Sequence, residues 1–208
     1  NMANEKGEVT ENIVSYFSNL SKNGLGMVTV GATSVSDEGG DTKNGMHIGK
    51  KNHFVGLKKL ADEINFYGAS SIIQLFHVGA QGNTNYSAQR VVGPSKYIVP
   101  DIGIEAEVLT IDEIKKIEDD FVRGIYQAHE AGFNFIELHL SHGYLLHEFF
   151  SPHTNKRTDM YGGNEENRFR ILKNIINKIE NKEIRKKLAA RVTGDDFTEN
   201  GLNINKIK

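Results

Sequence analysis

The chain has 208 residues, and its 25 Lys and Arg stand against 27 Asp and Glu, so the formal net charge is −2. This near-neutral charge argues against a general nucleic-acid-binding protein, and ordinary contents of hydrophobic (38%) and charged (25%) residues exclude global disorder. The chain has 0 Cys, which excludes disulfides, iron–sulfur clusters and thiolate zinc sites within it.

The sequence gives no sign of membrane insertion or secretion. No apolar run approaches the roughly 18 residues that a membrane-spanning helix requires. The polar stretch at residues 1–7 lacks the apolar core of a signal peptide. We therefore expect a cytoplasmic protein with no membrane partner.

The first half of the chain alternates between helical and strand patterns. Residues 8–23 predict a helix that is capped by Thr10, and the apolar run at residues 25–32 predicts a buried parallel strand. After a polar loop, residues 52–68 predict a second helix and residues 69–77 a second strand. The loop at residues 78–109 is long, and loops of this length are often functional.

The second half repeats the alternation. Thr110 and Glu113 form the pattern of a capping box, which predicts the start of a third helix that Gly132 ends. The remaining predicted elements are a strand at residues 133–140, a helix at 164–181 and a strand at 188–193. Repeated strand–helix alternation predicts an α/β fold with a parallel sheet, and no break in composition divides residues 1–208 into more than a single domain.

Polar side chains gather where the predicted strands end. In parallel α/β folds, ligands bind at the carboxyl ends of the strands, so these side chains predict a site there. The residues of this group are Gln74, His77, Glu137, His139, His142, Tyr144, Arg191, Asp195 and Asp196.

Each of these residues also has a structural interpretation. Gln74 is explained as a hydrogen-bonded core residue, and His77 is more readily structural than functional. His139 and His142 have a spacing that two metal ligands could use, but no carboxylate is placed as a third ligand, so we predict no metal. Arg191 is the strongest signal, because a permanent cation on a buried strand requires an anion.

The stretch HLSHGYLLHEFFSP at residues 139–152 resembles the core motif of the Old Yellow Enzyme family of FMN-dependent ene-reductases. The resemblance continues through TNKRTD at 154–159, YGG at 161–163 and ENRFR at 166–170. QLFH at 74–77 and RVT at 191–193 are similar to strand segments of the same family. Nearly the whole chain is covered, and the variable loop at 81–109 fits least.

The resemblance implies a (β/α)8 TIM barrel that holds FMN at the carboxyl mouth of its strands. In the family's register this chain is a partial barrel with strands two to five and the intervening helices. The first strand is then expected before Asn1, and strands six to eight after Lys208. An open parallel sheet has unpaired edges, so the prediction allows for a homo-oligomer.

The family's residue roles are carried over as implications of the resemblance. His139 and His142 would donate hydrogen bonds to the substrate's carbonyl or nitro oxygen, and Tyr144 would protonate its α-carbon. The cofactor-binding positions would be Ala32, Gln74 and Arg191.

The implied activity is reduction of the C=C bond of a small activated alkene, with NADH or NADPH as reductant and no nucleic acid as partner. His147 and His153 are interpreted as structural or peripheral. Arg157, Asp159 and Arg168 are expected to form a structural ion-pair cluster. A catalytically incomplete fragment that serves as a binding or assembly module is the alternative to the enzyme, and a metal-dependent hydrolase is a remote third hypothesis.

Overall fold

The structure, a computed structural model, describes residues 2–85 and 90–207. The strands are β1 Met27–Ser34, β2 Met46–His47, β3 Ser70–Phe76, β4 Val92–Gly93, β5 Glu107–Val108, β6 Phe135–Leu140 and β7 Leu188–Val192. The helices are α1 Glu11–Lys22, α2 Phe54–Phe66, α3 Ile111–Ala131, α4 Leu145–Phe150, α5 Glu165–Arg168, α6 Arg170–Asn177, α7 Lys182–Lys186 and α8 Ile204–Ile207. In the described part of the chain, no helix combines the length and apolarity needed to cross a membrane.

The main sheet has five strands in the order β2-β1-β3-β6-β7, and every pairing is parallel. The four long strands are β1, β3, β6 and β7, and at least one helix connects each of them to the next. This is the connectivity of a β/α barrel. The register places Gln74 of β3 opposite Glu137 of β6, and His139 of β6 opposite Arg191 of β7. The predicted α/β fold, a partial TIM barrel, is confirmed.

The helices pack their apolar stripes against one face of this sheet. Leu57, Leu60 and Ile64 of α2 and Phe121 and Ile125 of α3 are fully buried in one continuous core. Burying a side chain of this size contributes about 1.5–3 kcal/mol, so these stripes fix the helices on the sheet.

The ends of α3 follow the sequence signals. Thr110 and Glu113 form the reciprocal hydrogen bonds of a capping box, as predicted. Gly132 ends the helix with φ 98°, in the left-handed region where a side chain would be strained. Thr110 and Gly132 thus set the length of the helix. Helix α3 leads directly into β6, which carries Glu137 and His139 of the polar group.

The prediction that β1 and β7 are buried was wrong. On β1, Met27 is 55% exposed while its neighbour Val28 is 3% exposed, so the strand alternates between a covered and an open face. On β7, Arg191 and Val192 are both exposed. The central strand β3 is buried on both faces from Ser71 to Phe76, whereas β7 lies at an edge of the sheet. An apolar sequence therefore does not by itself produce burial on both faces of a strand.

Two further predictions need correction. The helix expected at residues 164–181 is divided at Phe169, which separates α5 from α6. Asn181 then caps the separate helix α7 by accepting a hydrogen bond from Glu183 N. The long loop at 78–109 contains the two-stranded sheet of β4 and β5, although residues 86–89 lie outside the described part.

Candidate functional site

The candidate site is built on the sharp turn that joins β6 to α4. Two consecutive residues of this turn have left-handed backbones, His142 with φ 61° and Gly143 with φ 74°. Such a conformation is unusual for a residue with a side chain, and here it reverses the chain within a few residues. The turn therefore brings His139 from the end of β6 close to Tyr144 at the start of α4.

The three residues predicted to be catalytic form one aromatic cluster. The ring of His139 lies 5.0 Å from that of His142 and 4.9 Å from that of Tyr144, measured between centroids, and both contacts are close to perpendicular. Phe76 at the end of β3 supports the cluster from the other side, with its ring centroid 5.1 Å from that of Tyr144. The carboxyl ends of β3 and β6 thus meet at one place.

Arg191 stands beside this cluster on the neighbouring strand. The register places it opposite His139, and its Nη2 lies 3.4 Å from Nε2 of His142. Among the described residues no carboxylate forms an ion pair with Arg191, although many other cations of the chain are paired. The guanidinium thus presents uncompensated positive charge to the concave side of the sheet.

The predicted cofactor-binding residues Gln74 and Ala32 lie on the adjacent strands. Gln74 is 5% exposed, and its Nε2 donates a hydrogen bond to Oε1 of Glu137. Ala32 is half-buried at an irregularity in the pairing of β1 with β3. Its neighbour Gly31 lies so close to Gln74 that a β-carbon there would be 3.0 Å from Oε1 of the amide. No contact joins Ala32 directly to the cluster of His139, His142 and Tyr144.

The two imidazoles and the phenol are uncharged at neutral pH. Burial, together with the positive charges of His142 and Arg191, lowers the pKa of His139 to about 4. Burial and the charge of Arg191 also lower the pKa of His142. The pKa of Tyr144 is raised by burial and by the negative charge of Asp41. These groups therefore act as neutral hydrogen-bond donors and acceptors.

Sequence reasoning missed three residues that support this cluster. Ser141 places its Oγ 3.1 Å from Nδ1 of His139. Asp41 acts on Tyr144 through its charge, from a loop that the sequence marked only as polar. His147, interpreted as structural or peripheral, contacts both Gly143 and Asp196. The available signals were a carboxylate in a loop, Asp41, and a histidine in α4, His147, but nothing in the sequence showed which residues they contact.

Other polar groups that the sequence singled out lie apart from the cluster. His77 is 1% exposed, and its Nδ1 accepts a hydrogen bond from Gly79 N. Arg157 and Asp159 form the expected ion pair at 2.6 Å, but Arg168 binds the carbonyl of Phe150 instead of joining them. Within the described residues, no group of three or more His, Asp and Glu is arranged to hold a metal ion.

The fold places the chain in the class of TIM-barrel proteins, and its candidate site lies at the carboxyl ends of the strands, as is usual for that class. Residues 1–207 match the model of the NADH:flavin oxidoreductase / NADH oxidase family. The chain belongs to that family.

Relatives agree with this assignment. The chain is 34% identical over 202 residues to an NADPH dehydrogenase of Listeria monocytogenes serotype 4b (strain CLIP80459), covering 97% of this chain and 58% of the relative. It is 32% identical over 199 residues to an NADPH dehydrogenase of Bacillus subtilis (strain 168), covering 95% of this chain and 57% of that one. The chain thus spans less than two thirds of the curated relatives it matches.

Comparison with solved structures supports the same family. A 2-naphthoyl-CoA reductase complex superposes with a TM-score of 0.90 at 29% identity, covering 98% of this chain and 33% of that chain. An Old Yellow Enzyme from Pichia sp. AKU4542 superposes with a TM-score of 0.85 at 26% identity, covering 98% of this chain and 56% of that one. The predicted resemblance to the Old Yellow Enzyme family is confirmed.

Proposed function

We propose that the protein is an FMN-dependent oxidoreductase that uses NADH or NADPH to reduce the C=C bond of a small α,β-unsaturated carbonyl compound or a related activated alkene. The observation that carries this proposal is the meeting of His139, His142 and Tyr144 beside Arg191. Uncharged hydrogen-bond donors, beside a cation that has no carboxylate partner among the described residues, suit a planar, electron-accepting ring and a carbonyl substrate.

The residues on the concave face fit FMN. Arg191 has no carboxylate partner in the described part of the chain, so its charge is free to stabilise a negatively charged reduced ring. Gln74 offers an amide, which both donates and accepts hydrogen bonds, as does the pyrimidine edge of a flavin. The small side chain of Ala32 leaves room for a flat ring against the strand. Ala32, Gln74 and Arg191 are therefore the residues that would hold the cofactor.

Bound FMN would supply the transfer of a hydride equivalent from NAD(P)H to the alkene. His139 and His142 would bind the carbonyl oxygen of the substrate and orient it. Negative charge builds on that oxygen as the β-carbon is reduced, so N–H groups aimed at it stabilise the transition state more than the ground state. Losing one such donor costs about 3 kcal/mol, or roughly 10²–10³ in rate.

Tyr144 is the proposed proton donor to the α-carbon. Its raised pKa keeps the hydroxyl protonated at neutral pH, so a proton is available when the substrate needs one. The ring is held by Phe76 on one side and His139 on the other, which orients the hydroxyl. The phenol can therefore deliver its proton from a fixed position.

The test uses the protein expressed in its complete reading frame. We expect a yellow protein that oxidises NADPH or NADH when 2-cyclohexenone is added, and that leaves the saturated ketone cyclohexanone unchanged. His142→Asn should lower the rate of enone reduction about 10²–10³-fold while flavin remains bound. A colourless protein that does not consume NAD(P)H with the enone would reject the proposal and favour a non-catalytic module.

A further inference from the structure

The turn that carries His142 and Tyr144 is held at three backbone positions. Thr193 Oγ1 accepts a hydrogen bond from the N–H of His142 at 3.2 Å, and the side chain of Gln81 donates one to the carbonyl of the same residue. The N–H of Gly143, the next residue, donates to Nδ1 of His147 at 2.8 Å. These contacts hold His142 in a left-handed conformation that is unusual for a residue with a side chain, whereas Gly143 adopts its own without steric cost.

The contact with His147 fixes the tautomer of that imidazole. Because Nδ1 accepts from a backbone amide, the ring proton must be on Nε2, which lies 2.8 Å from Oδ1 of Asp196. The two side chains are only 10% and 8% exposed. The imidazole is therefore a fixed bridge from the amide of Gly143 to a carboxylate near the end of β7.

Asp196 is itself firmly anchored. Its Oδ2 accepts hydrogen bonds from Ser151 Oγ and Leu202 N, each at 2.7 Å. Burial acts to raise the pKa of Asp196, but these hydrogen bonds and the neighbouring His147 outweigh burial and leave the pKa below its ordinary value. The carboxylate is thus charged and has little freedom to move.

We propose that His147 and Asp196 are positioning residues for the reaction, which hold the turn so that His142 and Tyr144 keep the orientation the substrate requires. Gly143 lies directly between His142 and Tyr144, so a displacement of its amide redirects both side chains. This inference rests on the proposed ene-reductase function. Neither residue need touch the substrate, and both act through the backbone of the turn.

Two substitutions separate the two ends of the bridge. In His147→Asn, the side-chain oxygen replaces Nδ1 and can still accept from Gly143, but the contact with Asp196 is lost. In His147→Gln, the side-chain nitrogen replaces Nε2 and can still donate to Asp196, but the acceptor for Gly143 is lost. His153→Asn is the matched control, because that half-buried ring packs against Tyr97 and has no contact with the turn.

Enzyme kinetics with 2-cyclohexenone give the first measurement, on the flavin-loaded protein in its complete reading frame. A misplacement of about 1 Å costs on the order of 10² in rate. We expect His147→Gln to lower kcat by 10–10²-fold while KM changes by less than about threefold, with flavin content and melting temperature retained. His153→Asn should leave kcat unchanged. A folded, flavin-bound His147→Gln variant with kcat within threefold of the parent overturns the proposal.

Nuclear magnetic resonance gives a measurement that does not depend on activity. Histidine labelled with ¹⁵N should show His147 with its proton on Nε2. The resonance of the Gly143 amide should shift in His147→Gln but much less in His147→Asn.

Should either His147 variant fail to fold, Asp196→Asn takes its place, and it should also lower kcat. If the parent shows this tautomer yet reduces no enone, the proposed function fails and the bridge stands. If His147 carries its proton on Nδ1, the bridge fails.

Discussion

Nη2 of Arg191 lies 3.4 Å from Nε2 of His142, so a permanent cation faces the imidazole at the candidate site. A guanidinium only donates hydrogen bonds, so Nε2 of His142 is the acceptor and its ring proton belongs on Nδ1. This pairing is compatible only with a neutral imidazole. Arg191 therefore keeps His142 in the form that donates from Nδ1. In the proposed function, its charge would also face the bound FMN.

The first prediction concerns the charge of Arg191. Burial lowers the pKa of His142 most, and Arg191 lowers it further, so Arg191→Met should raise this pKa toward its ordinary value of 6.5. The same variant should bind FMN at least tenfold more weakly, because the guanidinium that would face the flavin is lost. A histidine titration by nuclear magnetic resonance measures the first effect, and flavin titration measures the second.

Lys173→Met is the control for Arg191→Met. Lys173 has a side chain that is 61% exposed and lies 3.8 Å from Glu166, away from the aromatic cluster. This variant should change neither the titration of His142 nor the affinity for FMN. An unchanged His142 pKa in Arg191→Met would show that the guanidinium and imidazole do not meet as described.

The second prediction separates proton donation from electron transfer. Tyr144→Phe keeps the ring that packs between Phe76 and His139 but removes the hydroxyl. Enone reduction should fall about 10²–10⁴-fold, the usual contribution of a general acid. Oxidation of NADPH with ferricyanide, an acceptor that takes electrons and requires no proton, should stay within about twofold of the parent. Tyr126→Phe, in the middle of α3, should alter neither rate.

Strands and helices with strong local signals were predictable from the sequence. The capping box of Thr110 and Glu113 starts α3 where predicted, because both partners lie within one helical turn. The buried strand β3 was found for a similar reason, since its apolar residues Ile72, Ile73, Leu75 and Phe76 lie close together in the sequence. Signals of this kind depend only on residues that are close in the sequence, and they predicted the α/β fold without knowledge of any tertiary contact.

Contacts between distant segments were not predictable. His147 and Asp196 are separated by 49 positions, and each residue alone had an ordinary structural explanation. Exposure of β1 and β7 also depends on what covers the concave face, which no local pattern encodes. Arg191 was expected near the imidazoles because both groups follow the carboxyl ends of parallel strands, although its supposed burial proved wrong.

The third prediction concerns acid stability and His77. Burial lowers the pKa of this histidine from 6.5 to about 3. Between these values only the unfolded chain binds the proton, so the free energy of unfolding must fall as the pH drops below about 6.5. Between pH 6.5 and pH 5 this one residue accounts for about 1.6 kcal/mol. Urea unfolding at several pH values measures how steeply the free energy of unfolding depends on pH.

His77→Asn should flatten that slope. The asparagine oxygen can replace Nδ1 as acceptor for Gly79 N, and the amide does not titrate. If the His77 variant loses stability with falling pH as steeply as the parent, the burial of a neutral imidazole at this position is contradicted.

The last prediction concerns Glu148, a fully buried carboxyl group in α4. Its Oε1 accepts a hydrogen bond from Ala80 N at 2.7 Å, and Oε2 has no partner among the described residues. Burial raises its pKa well above 4.5, although the hydrogen bond from Ala80 acts in the opposite direction. Above pH 4.5 the folded protein therefore retains a proton that the unfolded chain loses, and the free energy of unfolding falls by about 1.4 kcal/mol per pH unit until the carboxyl ionises in the folded state.

Glu148→Gln removes this penalty, because the amide has the same shape, accepts from Ala80 N and carries no charge at any pH. The variant should resist urea better than the parent at pH 8, and its advantage should disappear as the pH approaches 4.5. Glu183→Gln, whose side chain is 71% exposed beside Lys186, should show no such pH-dependent gain. A Glu148→Gln protein that is equally destabilised at pH 5 and pH 8 would contradict a raised pKa of Glu148, since a carboxyl group that stays protonated in the fold must carry a penalty that grows with pH.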